Sequence, residues 1–533
     1  MNISPTARLV LQHLPPSLCT IACIALFAGA CIGRTNVLPQ GSVPQTEITV
    51  TQAPATPLNE GESKENKPPT ILESQSLLAT PLPTAIPQAL PRPRYQITAT
   101  LDYRNHHLSV EERIEYTNTS DESIPDLVLI IEPLRYPAVF RLNRLAWEDG
   151  RSIEGIIWEV NRLRFSLPQA LKPGERLALN FEYELNLPSP DPAYYGRPVP
   201  FGYTVRQTNL VDWYPFIPPY VPGQGWLVHD PWFYGEHLVY ETAEFQVDFR
   251  LADAPSSATA GGGQALTVAA SAPASTDGEW YHYHLPVARN FALSASDMYQ
   301  VLTTTVGDVT VLGYAFPFHA RAGEAALKTT ADALLLFNRL YGLYPHTTLS
   351  VVEADFLDGM EYDGLYFLSN GFYNLYNGSP GEYLSAIAAH ETSHQWFYGL
   401  VGNDQAMEPW LDEALATYSE RLFYENLYPQ ALDWWWEYRV RYYQPHGWVD
   451  GTIYNPEGYR SYRDAVYLNG AMFLEDLRNR VGDQVFFAFL SDYIRRFSYQ
   501  RSTTQDFFTL LRQHTAISIE DLVHLYLNIP IYP

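Results

Sequence analysis

Cysteine is almost absent from this 533-residue chain: the three present, Cys19, Cys23 and Cys31, all lie near the N-terminus. Beyond residue 31 there can be no disulfide and no thiolate metal site, so stability rests on packing and any metal on nitrogen and oxygen donors. Cations are scarce as well, with 34 Lys and Arg against 59 Asp and Glu and a net charge of −25. A field of that sign repels phosphate backbones, which excludes nucleic acid as a partner. The apolar run Leu18–Ile32 is short of the roughly 20 residues that a membrane span needs. Charged residues are only 17% while apolar residues are 46% and aromatics 14%, a balance that excludes a disordered, collagen-like or coiled-coil chain.

The first 32 residues carry one cation, Arg8, and no acid, and the apolar run closes on Ala28-Gly29-Ala30 before Cys31. Residues 1–30 read as a secretory signal peptide of lipoprotein type, with Cys31 as the lipidated first residue of the mature chain. Ala28 stands where a leucine-type residue is usual, and an ordinary cleaved signal is the alternative. Both place the protein outside the cytoplasm, either anchored at the cell surface through Cys31 or secreted. Residues 31–93 are rich in Pro, Thr, Ser and Gln without apolar periodicity, as in Pro54-Ala55-Thr56-Pro57, and read as a disordered stalk.

Residues 94–300 show period-two runs separated by turns: 95–103, 109–116, 127–131, 163–167, 177–183, 244–251 and 281–285. They predict a β-rich, sandwich-like N-terminal domain. The Ala, Ser and Gly stretch 258–274 reads as a hairpin loop, and the aromatic cluster Trp213–Tyr220 as packing. His282 and His284 share a face of a strand but show no acidic partner nearby in sequence. From residue 301 the pattern turns helical: a helix over 322–340, strands at 349–353 and 365–368, then long helices, which make an α+β domain over 301–533.

Helix onset is expected near Ser379, where Ser379-Pro380-Gly381-Glu382 pairs a capping box with proline at the first helical position. That helix carries His390-Glu391-Thr392-Ser393-His394. Histidines four apart share a face and can reach one ion, with Glu391 offset toward a water beside it. A second helix from Pro409 carries Glu413, separated from His394 by eighteen intervening residues, as third ligand. Two imidazoles, one carboxylate and an open position suit a single catalytic zinc. Glu420, two turns after Glu413 on the same face, and Asp412 are candidates to accept a hydrogen bond from a ligand imidazole. Trp434-Trp435-Trp436 reads as core packing.

With these residues in place the sequence resembles the zinc metallo-aminopeptidases of the aminopeptidase N and leukotriene hydrolase type. The resemblance rests on His390 to Glu420, on Gly359-Met360-Glu361 where the family has Gly-x-Met-Glu-Asn, and on Tyr467-Leu468-Asn469-Gly470-Ala471, similar to its Tyr-x-Lys-Gly-Ala. More faintly, Arg289-Asn290-Phe291-Ala292 is similar to its domain-boundary segment. Tyr362 and Asn469 depart from the motifs, and the sequence ends at Pro533, short of the helical C-terminal domain of many relatives. The resemblance implies a thermolysin-like catalytic domain in which Glu391 is general base and Tyr467 an oxyanion donor, Tyr459 and Tyr462 being its substitutes. Glu361, with Gly359 and Met360, would bind the free amine and backbone of a peptide, and Gln207 would assist. An exported aminopeptidase, monomeric and acting on peptides, is the leading expectation. A zinc endopeptidase and a non-catalytic scaffold are the alternatives.

Overall fold

All seven period-two runs of the first half are strands in the computed structural model, which describes residues 91–189, 200–252 and 265–529. The expected signal peptide, Cys31 and the expected stalk up to residue 90 lie outside the described residues, as does the 258–264 part of the expected hairpin loop. Within that loop Thr267–Ala270 is a strand, paired antiparallel to Leu293–Ser296. Its short residues fit because they lie against a neighbouring strand with Ala269 and Ala270 buried.

A seven-stranded sheet organises the first half. Its order is Ser275–Asp277, Trp280–Ala288, Ala243–Leu251, Arg94–Asp102, His107–Thr117, Arg176–Asn186 and Phe140–Trp147. The only parallel pairing in it joins Arg94–Asp102 to Ala243–Leu251. Alternate residues such as Ile97, Ala99 and Leu101 share one apolar core with Leu127, Leu129, Leu163 and Phe165 of a three-stranded sheet. The Trp213–Tyr220 cluster lies in this core, Tyr214 packing on Tyr95 and Phe245. His282 and His284 do meet acids: Asp248 at 2.5 Å and Glu244 at 3.1 Å, across the sheet. Strand pairing brings together residues far apart in sequence, so the expectation of no acidic partner does not hold.

The second half begins with a five-stranded sheet ordered Gln300–Val306, Val309–Ala315, Thr348–Ala354, Leu365–Ser369 and Gly359–Tyr362. Its inner strands are buried on both faces and therefore read as near-continuous apolar runs. Leu349, Val351, Tyr366 and Leu368 face the helical core, whereas Val352, Ala354, Leu365 and Phe367 belong to the β-rich core. The same alternation governs the edge strand Gly359–Tyr362. Met360 and Tyr362 join the β-rich core, which turns Gly359 and Glu361 toward the helices.

The segment Arg289–Ala292 ties the halves together. The buried Arg289 guanidinium donates to the carbonyls of Tyr398, Gly399 and Leu400, to Tyr240 in the β-rich half, and to Gln500. No helix among the described residues is long and apolar enough to cross a membrane.

Candidate metal centre

The histidine helix runs Tyr383–Ser393 and begins three residues later than the sequence suggests. Glu382 is its N-cap, accepting from the N–H groups of Leu384 and Ser385 at 2.9 Å. Ser379 instead accepts from the N–H of Gly381 at 3.2 Å, and the Pro380 carbonyl accepts from the N–H of Glu382 at 3.0 Å and the Tyr424 hydroxyl at 2.7 Å, so these residues form a turn ahead of the helix. His390 projects from the last turn and His394 is the C-cap, still in helical conformation, with ring centroids 4.7 Å apart.

Each imidazole is fixed through Nδ1, His390 by the Glu420 carboxylate at 3.0 Å and His394 by the Phe397 carbonyl at 2.9 Å. Both Nε2 atoms are thereby left for a shared partner. Helix Trp410–Leu427 supplies it: Glu413 Oε2 lies 3.2 Å from His390 Nε2 and 3.6 Å from His394 Nε2. Tetrahedral zinc with bonds of about 2.0–2.1 Å sets its ligands about 3.3 Å apart, so these side chains fit the ion as they stand. Burial alone would raise the Glu413 carboxyl, but hydrogen bonds to the two histidines hold it well below the usual range. The same contacts lift His390 to about 9 against its burial.

Glu420 is fully buried and also accepts from Arg439, at 2.8 and 2.9 Å, and from the Trp435 indole at 2.8 Å. Sequence reasoning took Trp435 as packing and passed over Arg439, whose charge within an aromatic stretch was the available signal. Asp412 does not accept from either imidazole. Its Oδ1 folds back onto the N–H of Glu413 at 2.8 Å in the first helical turn, so its action is on the ligand's backbone.

Glu391 is buried, and its Oε2 has no hydrogen-bond partner among the described residues. Burial, and after it the neighbouring carboxylates, push its carboxyl well up against the pull of the two histidines. Gly359 explains how it fits, because a Cβ at residue 359 would lie 2.1 Å from Glu391 Oε1. On the same strand Glu361 is buried, accepts from Gln405 at 3.4 Å, and is pushed up to about 7, chiefly by burial. Oxygens of Glu361 and Glu391 and a ring nitrogen of His394 all lie within 4.8 Å of one another. These groups open on a cavity of about 470 Å³. Met360 does not line it. Its side chain faces a second, smaller cavity behind Glu361.

Tyr467 sits in a wide turn over Asp464–Asn469 with one extra residue per turn, and its ring lies parallel to His390 at 6.1 Å. Its hydroxyl donates to Glu413 Oε1 at 2.5 Å. Of the two substitutes, Tyr459 also lines the larger cavity but donates to Asp358, and Tyr462 is packed between Tyr234 and Tyr467. Asn469 turns away to the Gly447 carbonyl. Gln207 is not at the amine-binding position: it is fully buried, bonding Tyr299, Asn209 and the backbone of residues 353 and 355. The acid that the β-rich half does send toward Glu361 is Glu236, from an irregular stretch with no period to mark it.

Residues 325–526 match the family model for the peptidase family M1 domain. Aminopeptidase M1-A of Oryza sativa subsp. japonica is 24% identical over 226 residues, 40% of this chain and 26% of its own. Aminopeptidase N of Lactococcus lactis subsp. cremoris is 25% identical over 171 residues, 28% of this chain and 19% of its own. The chain thus spans about a quarter of the length of the curated relatives it matches. Among solved structures, an M1 zinc metallopeptidase mutant of Deinococcus radiodurans bound to a Tyr-Ser-Ala substrate aligns with TM-score 0.57 and 19% identity, over 83% of this chain and 96% of that one. A two-domain M1 zinc metallopeptidase bound to L-arginine aligns with TM-score 0.58 and 18% identity, over 83% and 95%. At these identities the likeness is one of fold, a β-rich first half followed by a helical half. Together with the motif match, it places in this chain, over residues 325–526, a peptidase family M1 domain.

Proposed function

We propose that this chain is a zinc-dependent aminopeptidase with a thermolysin-like catalytic half, releasing single residues from the N-termini of peptides outside the cytoplasm. One observation carries the reading. Glu361, Glu391 and His394 present donor atoms within 4.8 Å of one another. A peptide's α-nitrogen lies only about 2.5 Å from its first carbonyl carbon. An α-ammonium paired with Glu361 therefore brings that first carbonyl to Glu391. Adding a residue would move the next carbonyl about 3.5 Å further along an extended chain, out of register, which favours exopeptidase over endopeptidase action.

His390, His394 and Glu413 are the residues that hold zinc. When bound, the ion is a Lewis acid that brings a water's pKa toward 7 and polarises a carbonyl. Glu391, high in pKa and unpartnered at Oε2, takes the proton of the attacking water and passes one to the departing amine. The Tyr467 hydroxyl, resting on Glu413 and lining the same cavity, would donate to the developing oxyanion. The strand Gly359–Tyr362 is at the edge of its sheet, where an extended substrate would add as a further strand. The Deinococcus neighbour bound to a Tyr-Ser-Ala substrate supports a peptide ligand in this fold.

The test is hydrolysis of free-amine aminoacyl-anilides against their N-acetylated forms, with zinc measured on the same samples. Cleavage of the free amines alone is expected. Preference for acetylated substrates refutes the reading in favour of internal cleavage, and absence of both zinc and hydrolysis refutes it in favour of a scaffold. Glu391→Gln should keep zinc and lose about 100-fold or more in turnover. Export is supported by the leader residues Leu18–Ile32 and lipidation by Ala28-Gly29-Ala30-Cys31. Labelling with a fatty-acid probe tests the latter and should vanish in Cys31→Ser.

A further inference from the structure

Behind Glu361, around the edge of its strand, lies a second cavity of about 70 Å³. That is room for at least about two waters at liquid density, and its polar lining suits the polar end of a side chain. Glu361 lines both this cavity and the catalytic one. An α-ammonium paired with Glu361 would therefore stand between the two cavities.

The lining is polar and unbalanced in charge: Glu132, Asp212, Glu236 and Glu361 against Arg135 and His237. Glu132 is matched within the protein. It bonds Arg135 and His237, which hold its carboxyl down to about 2 although burial would raise it. Asp212 is different. It accepts from the Tyr240 hydroxyl at 2.5 Å and from Tyr362, both neutral donors. Burial pushes its carboxyl up to about 6, as expected of an acid without a cation at contact distance. Its backbone is held at φ +50°, a conformation uncommon outside glycine. Tyr362 is the residue that departs from the family motif, and the strand's alternation turns it to this side.

The wall between the two cavities is fixed as well. At Gly235 (φ +74°) a Cβ would lie 2.4 Å from Ile453, so the backbone beside Glu236 is seated against the helical half.

We propose that this cavity receives the side chain of the substrate's N-terminal residue and that Asp212, presented by Tyr240 and Tyr362, selects a cationic one, lysine or arginine. The proposal rests on the aminopeptidase reading for the position of the α-amine, and its test separates the two.

Lysine is norleucine with an added terminal amine, so the pair isolates the charge. Calorimetry on the zinc-loaded protein should give L-lysine at least about tenfold tighter than L-norleucine, and Asp212→Asn should remove most of that ratio. In the corresponding anilides kcat/KM should favour lysine by a similar factor. Equal or tighter binding of norleucine by the unmodified protein overturns the proposal, as does failure of both amino acids to bind; neither outcome needs the variant to fold. If both anilides are cleaved equally, the pocket assignment falls while the aminopeptidase reading stands. If lysine binds selectively and no anilide is cleaved, the aminopeptidase reading falls and the charge selection survives.

Discussion

Gly359→Ala isolates the placement of one carboxylate. Gly359 does not have a positive φ, so alanine can adopt its backbone and the fold has no cause to change. The added methyl would sit 2.1 Å from Glu391 Oε1, where ordinary contact begins near 3.4 Å. The strand is paired to Leu365–Ser369 and packed on both faces, so the side chain is what yields, retreating by about 1 Å. A misplacement of about 1 Å at a reacting group costs on the order of 100-fold. The expected result is a kcat about 100-fold lower, with zinc content unchanged because the three atoms nearest the new methyl all belong to Glu391. Steady-state kinetics on a free-amine anilide, with metal analysis of the same preparation, gives both numbers. A kcat within threefold of the parent would falsify the argument that Gly359 positions Glu391, and loss of zinc would show that the disturbance is not local.

Other consequences are measurable. Because Glu413 and Glu420 raise His390 to about 9 despite its burial, and Glu361 and Glu413 raise His394, both imidazoles are protonated near pH 7 when no metal is bound. Zinc binding should then release up to two protons and weaken as pH falls below about 9, seen by calorimetry in buffers of different ionisation heat; no proton release contradicts this. Glu420→Gln leaves the buried Arg439 without its charge partner and His390 less firmly held. It should cost about 3–5 kcal/mol of stability and weaken zinc by about 10–100-fold, and an unchanged Tm together with unchanged zinc affinity refutes it. Glu112 occupies a core position among Leu108, Val110 and Ile114, and burial raises its carboxyl well above the usual range. A raised acid keeps its proton in the native state, so its contribution is intact below about pH 4.5 and is lost as pH climbs. Glu112→Gln should therefore gain Tm at pH 8 and little at pH 4.5, and a gain independent of pH argues against it.

The clustering of His390, His394 and Glu413 was legible because helix geometry alone dictates that residues four apart share a face, and the proline-marked starts at 380 and 409 located both helices to within three residues. The strands were legible where one face is buried, as in Arg94–Asp102 with its alternating burial. What failed did so for local or for long-range reasons. Glu382 replaced Ser379 as cap, with Ser379 spent on a turn ahead of the helix that the Tyr424 hydroxyl, distant in sequence, also bonds. Asp412 turned to its own helix terminus, a choice between two nearby donors that spacing does not resolve. Gln207 was spent inside the β-rich core. Asp212, Glu236 and Arg439 reach the cavities from stretches without period or motif, so only the folded chain assembles them. The wide turn that aims Tyr467 has no signature in residue type.

The Arg289 guanidinium has a consequence for dissection of the molecule. It is a cation in a dry setting whose satisfaction comes from five main-chain oxygens on three separate stretches, one of them immediately after the second histidine. Excising residues 301–533 would remove this clasp and leave the hairpin beyond His394 with unmet carbonyls and an empty slot at Gly402, where the guanidinium now rests. Expressed alone, the helical half should be deprived of a rigid approach to its own active centre. The strand-rich half is then better regarded as an internal splint for the chemistry than as an appendage to it.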